Sequence, residues 1–197
     1  MDAEGEVRLP VEGGRHLKYD IVGSHFPEYD FVVVLSHFKG HAMGGFGGAI
    51  KNISIGIASS AGKAWIHSAG KTEDTEKLWS SLPAQDDFLE SMAEAAKAIA
   101  AHCGERIRDL SVMNNLSVDC DCDAHPEPPR MGDIGILASL DPVALDQACV
   151  DLVYASPDEG KVHLIERMES RHGIHTLEHA EAIGIGSRQY ELVDLDK

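Results

Sequence analysis

The sequence predicts an α/β fold, a mainly parallel sheet with helices packed on its faces, and three observations carry that expectation. The run Asp30 to Ser36 (DFVVVLS) is β-branched and almost continuously apolar, as in a strand buried on both faces of a parallel sheet. Strand-like runs alternate with helical patterns along the chain, the order that builds helix-covered sheets. The 197 residues are 43% hydrophobic and 25% charged, enough for one solid core. That composition excludes wholesale disorder, collagen-like repeats and coiled coil.

Taken in order, Asp30 to Ser36 is expected at the centre of the sheet. Ile107 to Met113 (IRDLSVM) and Asp133 to Leu140 (DIGILASL) are further strand candidates, and the alternating Gln189 to Leu195 (QYELVDL) suits an edge. Asp86 to His102 is Ala-rich, with Phe88, Met92, Ala95, Ala96 and Ile99 on one helical face and Gly104 as its stop. Asp141 followed by Pro142 is an N-cap and first-turn pair opening a helix over Pro142 to Ala155. Shorter helices are expected over Lys161 to Ser170 and Thr176 to Ile183. Gly62 to Ala84, with Trp65 and Trp79, reads as a long surface excursion. No repeat, low-complexity tract or linker interrupts the chain, so residues 1–197 read as a single domain.

Thirty-three Asp and Glu against 17 Lys and Arg give a formal charge of −16, a field that repels nucleic-acid phosphate and anionic membrane. Neither partner is expected. No stretch approaches the ~20 apolar residues of a membrane span, and Met1 to Arg8 is acidic where a signal peptide would be basic and then apolar. The expected location is the cytoplasm. Cys103, Cys120, Cys122 and Cys149 are too few for a disulfide scaffold and read as reduced thiols or metal ligands.

Two segments concentrate chemistry. Ser36 to Asn52 (SHFKGHAMGGFGGAIKN) follows the expected central strand, where ligands bind in an open α/β sheet. Its glycines let backbone N–H groups converge on an anion, and a helix starting near Gly47 adds its positive end. Lys39, Gly44, Gly45, Gly47, Gly48, Lys51 and Asn52 are therefore candidate ligand-binding residues, with His37 and His41 beside them. The glycine spacing is neither a Walker loop nor the dinucleotide fingerprint, and the alternative is a loop whose glycines only allow tight packing.

The second segment, Asn114 to Pro129 (NNLSVDCDCDAHPEPP), brings together Cys120, Cys122 and His125. Thiolate and imidazole are metal donors, and C-x-C places both sulfurs on one side of an extended chain. Cys120, Cys122 and His125 form the candidate metal set, completed by His37, His41 or a water. Iron, zinc and nickel stay open, and so does a plain acidic loop with two reduced thiols. Cys103 and Cys149 read as small packed hydrophobes. His175 and His179, spaced i, i+4, can chelate a metal from one helix face or simply open the helix. The chain has no G-x-S-x-G elbow for a serine nucleophile. Asp146, in an otherwise inward-packing helix, is a candidate to bind a ligand or orient a histidine.

Three stretches, HFKGHAMGGFGGAIKN, DIGILASLDPVALDQACVDLV and HTLEHAEAIGIGSRQYELV, resemble the domain of unknown function 362 family from about Leu9 to Leu195. Its members are often labelled uncharacterised iron-sulfur-centre proteins. The resemblance implies an α/β fold and a cytoplasmic, often anaerobic setting, without a settled reaction. Typical members carry further β/α units before the equivalent of Leu9, so the chain resembles the carboxy-terminal two thirds, with a sheet that either lacks strands or is completed by dimerisation. The C-x2-C-x2-C-x3-C-P spacing of a ferredoxin-like module is absent, so the cysteine spacing does not support a ferredoxin-type iron-sulfur cluster. The Gly-rich loop also bears a short likeness to a loop of lactate racemase family proteins that hold a nickel cofactor.

Three functions follow as expectations. The first is a metal-binding, redox-linked protein using Cys120, Cys122 and His125 with His37 and His41. The second is an enzyme acting on a small anionic metabolite gripped by Lys39 and Lys51, with His37 or His41 moving a proton. The third is a non-catalytic assembly partner, which includes a homo-oligomer. The first two place the glycine loop and the thiol loop in one shared pocket.

Overall fold

The structure, a computed structural model, describes residues 2–196. In chain order its elements are β1 (Glu6–Pro10), β2 (Tyr19–Gly23), β3 (Val32–His37), β4 (Lys39–His41), β5 (Gly45–Gly47) and α1 (Ala49–Lys51), which runs into a π-helical turn (Asn52–Gly56). Then follow α2 (Ser60–His67), α3 (Gln85–Cys103), β6 (Ile107–Met113), β7 (Gly135–Ser139), α4 (Pro142–Ala155), α5 (Lys161–Ser170) and α6 (His175–Ala182).

The fold is mixed α/β, but the sheet is not mainly parallel. Its order is β3-β6-β7, with β3 parallel to β6 and β7 antiparallel to it. Two antiparallel pairs, β1 with β2 and β4 with β5, stand apart from it. The expected central strand, β3, is at an edge of this sheet, and β6 takes the centre.

Nor is β3 buried on both faces. Val34 and Ser36 point inward, whereas Val33 and Leu35 are 63% and 65% exposed. Strand β6 alternates in step, with Ile107, Asp109, Ser111 and Met113 buried. Helices α1 and α4 pack on the inner face. The outer face, which also carries the exposed Ile136, is apolar and open among the described residues.

Helix α3 is the interior post. Its alanines Ala93, Ala95 and Ala96 are fully buried, and small side chains let neighbouring backbones approach closely. Phe88, Leu89, Met92 and Ile99 fill the remaining volume, each contributing about 1.5–3 kcal/mol of burial. The helix contacts α6, α2, α1 and the π-helical turn. Gly104 ends it with a φ of 55°, a backbone that disfavours L side chains. Helix α4 opens as its sequence foretells: Asp141 accepts the backbone N–H of Val143 and Ala144 at 2.8 and 3.0 Å.

Two further expectations need correction. Gln189 to Leu195 forms no strand. Its apolar residues Leu192, Val193 and Leu195 are exposed, and no neighbouring strand pairs with it. Gly62 to Ala84 is not all surface excursion, because α2 occupies its start, capped by Ser59, whose side chain accepts the Gly62 N–H. Trp65 stacks on Tyr19 with ring centroids 5.2 Å apart and donates to the Tyr19 carbonyl, while Trp79 is exposed. Cys103 and Cys149 are buried thiols. No helix among the described residues is long and apolar enough to cross a membrane.

Candidate functional site

The glycine segment does not remain a loop. It folds into the β4–β5 hairpin, with Lys39 opposite Gly47 and His41 opposite Gly45. Two glycines make the surrounding assembly sterically allowed. A Cβ on Gly40 would stand 2.2 Å from the Val118 carbonyl oxygen, so only glycine lets the thiol segment pass against β4. That approach is fixed by the Gly40 N–H, which donates to the Ser117 carbonyl at 2.7 Å. A Cβ on Gly48 would stand 2.2 Å from Asp146 Oδ1. There the Asp146 carboxylate, reaching from α4, accepts the N–H of Ala49 at 2.7 Å and of Ile50 at 2.9 Å.

The result is a cavity of about 540 Å³ at the end of β3, between the hairpin, the π-helical turn, the end of α2 and the Cys120–Cys122 segment. Lys39, Lys51 and Lys63 line it, with His37, His41 and His67, and Asp121 is the one carboxylate in the lining. The π-helical turn widens the helix where Asn52 and Ile55 reach the wall. Asn52 itself is turned back, donating to the Leu35 carbonyl and to Ser36 Oγ at 3.1 Å each.

Lys39 is buried, and its ammonium donates to Cys120 Sγ at 3.2 Å and lies 3.3 Å from Asp121. The Cys122 thiol donates to Cys120 Sγ, the sulfurs being 2.7 Å apart. Burial opposes ionisation of Cys120, but the hydrogen bonds from Cys122 and the charges of Lys51 and Lys39 bring its pKa below the ordinary thiol value. Cys122 moves the other way, chiefly because its proton is held by Cys120. The first proton therefore leaves from Cys120. The half-buried Lys51 has no hydrogen-bond or ion-pair partner for its ammonium among the described residues, and burial lowers its pKa.

The imidazoles do not complete the expected metal set. His37 places Nδ1 2.9 Å from Asp121 and Nε2 2.6 Å from the Asn114 carbonyl, so both nitrogens are taken up by oxygen acceptors. His41 Nδ1 accepts the Gly44 N–H at 2.9 Å and the Met43 N–H at 3.3 Å. Burial, with the charge of Lys51, pushes the His41 pKa down to about 3, so the ring is neutral with its proton on Nε2. A ring in that tautomer donates and offers no lone pair to a metal. His125 is exposed and outside the cavity; its backbone N–H bonds Asp123.

Among the candidate ligand residues, Lys39, Gly47, Gly48, Lys51 and Asn52 line the cavity, while Gly44, Gly45 and Asp146 do not. Gly44 holds His41, Gly45 turns the hairpin with a φ of 80°, and Asp146 is a buried brace. Sequence reading missed Lys63 and His67, which reach the wall from a helix taken for surface chain. It also missed Arg167 of α5, which steadies the thiol segment through the Val118 carbonyl at 2.9 Å and Asp119 at 3.2 Å. Lys63 to His67 is an i, i+4 pair on α2, the signal that could have found them.

Fold and cavity together define a mixed α/β protein built around a glycine hairpin braced against a dithiol segment. Residues 1–151 match the family described as Domain of unknown function (DUF362), and the chain belongs to that family. The match takes in both walls of the cavity and ends within α4. No curated protein and no solved structure matches the chain significantly.

Proposed function

We propose that the cavity binds a small anionic molecule, a carboxylate or a phosphate, and presents it to the Cys120 thiolate. The observation that carries this reading is the charge of the wall: three lysines against one carboxylate and the Cys120 thiolate, in a chain of formal charge −16. Such a reversal of local sign is costly unless a ligand uses it. Lys51, without an ion-pair partner, is the first contact for the anion. Neutral His41 supplies an Nε2–H donor to the anion, and the Cys120–Cys122 pair beside it holds one exchangeable proton, on Cys122.

A library of small carboxylates and phosphates, screened by thermal shift, tests the reading. A binding ligand at 100 times its Kd raises stability by about 2.7 kcal/mol. That gain should vanish in Lys51→Ala. A library without hits, or hits indifferent to Lys51→Ala, would remove the proposal.

A metal held by Cys120 and Cys122 is the second reading, favoured by the convergence of the two sulfurs. The lysines at 3.2 Å and beyond work against a cation there, and the histidines are engaged elsewhere. Metal content of anaerobically purified protein, compared with the Cys120→Ser, Cys122→Ser double variant, separates the two readings.

A further inference from the structure

Away from the cavity, α3 and α6 face one another through a ladder of carboxylates and imidazoles. Asp86 Oδ1 lies 2.8 Å from His172 Nδ1, Glu90 Oε1 lies 3.1 Å from His175 Nε2, and Glu94 Oε1 lies 3.5 Å from His179 Nε2. The spacing follows from the helix: acids four apart on α3 meet histidines three or four apart along the approach to α6.

The rungs are not equivalent. Glu94 is committed to the fold, because its oxygens accept the backbone N–H of Arg15, His16 and Leu17 at 2.7, 3.0 and 2.7 Å. Glu90 is shared, with His16 Nε2 at 2.7 Å and Arg15 at 3.2 Å as well as His175. Asp86 has no such backbone duty, and it and His172 are about half exposed. At this outer rung one ligand atom each from Asp86, His172 and His175 lie within 4.8 Å of one another, the one such group among the described residues.

We propose that Asp86, His172 and His175 form a binding site for a divalent transition-metal ion of the zinc, cobalt or nickel kind, at the exposed end of the α3–α6 seam. Two imidazoles and a carboxylate are a donor set that such ions take up, with bonds of about 2.0–2.2 Å. Donors around an ion at that distance stand roughly 3–3.5 Å apart, so the present arrangement has to close by about an ångström. His172 can supply the movement. It is half exposed, on a loop, and its ring stacks on His175 with centroids 5.0 Å apart rather than being packed in the core. Glu90 on His175 Nε2 gives the support usual for a ligating histidine and leaves Nδ1 as the ligating atom, from which Glu178 Oε2, 3.5 Å away and on the exposed side of the helix, has to turn aside. Both histidines lie beyond the matched residues 1–151, whereas Asp86 lies within them on α3.

Tag-free protein titrated calorimetrically with Zn²⁺, and with Co²⁺ followed by visible absorption, tests the site. The expected result is one ion per chain with a Co²⁺ spectrum lacking thiolate charge transfer. His172→Ala, a surface change, should weaken binding at least about tenfold. The Cys120→Ser, Cys122→Ser double variant should retain the ion, because the thiols belong to the other cavity. The proposal is overturned if Zn²⁺ is not taken up, if His172→Ala binds as tightly as the parent, or if the thiol variant alone loses the ion. It is equally overturned if Zn²⁺ binds only as the ladder unfolds, seen as a fall in thermal stability on titration.

Discussion

The Lys39 ammonium donates to the sulfur of Cys120 at 3.2 Å, joining two segments that are 81 residues apart in the chain. This contact turns a glycine hairpin and an acidic thiol segment into one wall. It also makes the two cysteines chemically unequal, since Cys120 is favoured as thiolate and Cys122 as thiol.

Alkylation should follow that inequality. Cys120 is buried and Cys122 exposed, so the inequality is read from the pH dependence of each rate rather than from the rates themselves. Iodoacetamide modification of Cys120 should reach its plateau at a lower pH than that of Cys122, and Lys39→Met should move the Cys120 profile upward. Mass spectrometry of timed digests across pH reads both profiles. Coincident profiles at the two sulfurs would contradict the hydrogen-bond order.

Gly48→Ala should be far more damaging than Gly47→Ala. The first places a Cβ 2.2 Å from Asp146 Oδ1 and displaces the carboxylate that holds the Ala49 and Ile50 amides. The cost expected is about 2–4 kcal/mol. The second meets only the flexible Lys51 Cδ at 3.0 Å, which can move aside. Urea midpoints of the two variants check the ranking.

Asp109 predicts a loss of stability as pH rises from 3.8 through about 6. It is buried on β6 with both carboxylate oxygens lacking a hydrogen-bond partner, and burial, with the charge of Asp141, raises its pKa from 3.8 to about 6. A raised carboxyl stabilises the fold fully below its unfolded pKa, and that contribution is lost as pH rises through about 6. Asp109→Asn should therefore stabilise the protein at pH 8, by up to about 3 kcal/mol, and change little near pH 3.5. Thermal melts across this range would show the two curves converging in acid.

His41 predicts the acid side. Its pKa falls from 6.5 to about 3, so folding favours the neutral ring. The associated stability is present above pH 6.5 and lost as pH falls toward 3. His41→Gln, which keeps an acceptor for the Gly44 N–H, should flatten the acid limb, by at most about 5 kcal/mol. An acid limb of unchanged slope in that variant would mean that His41 is not the group that titrates.

Much of the helical structure was legible because its signals are local. The alanine-rich face and Gly104 bound α3, the Asp141–Pro142 pair opens α4, and Lys161–Ser170 forms a helix as read. Local signals failed where burial decides. Val33 and Leu35 are as apolar as a two-sided strand requires, yet no layer covers them. Residues 189–195 alternate like a strand but pair with no strand among the described residues, and α2 was hidden because its apolar Trp65 and Ile66 are flanked by turn-forming residues.

Residue type and spacing are local facts, and they already concentrate glycines, lysines and two thiols in two segments. Which of those groups remain free to act depends on contacts between distant parts of the chain. Packing Gly40 against Val118 puts Lys39 on Cys120, and the same packing spends His37 on Asp121. A hydrogen bond made across the fold removes a lone pair or fixes a proton, and no reading of residue order contains that outcome.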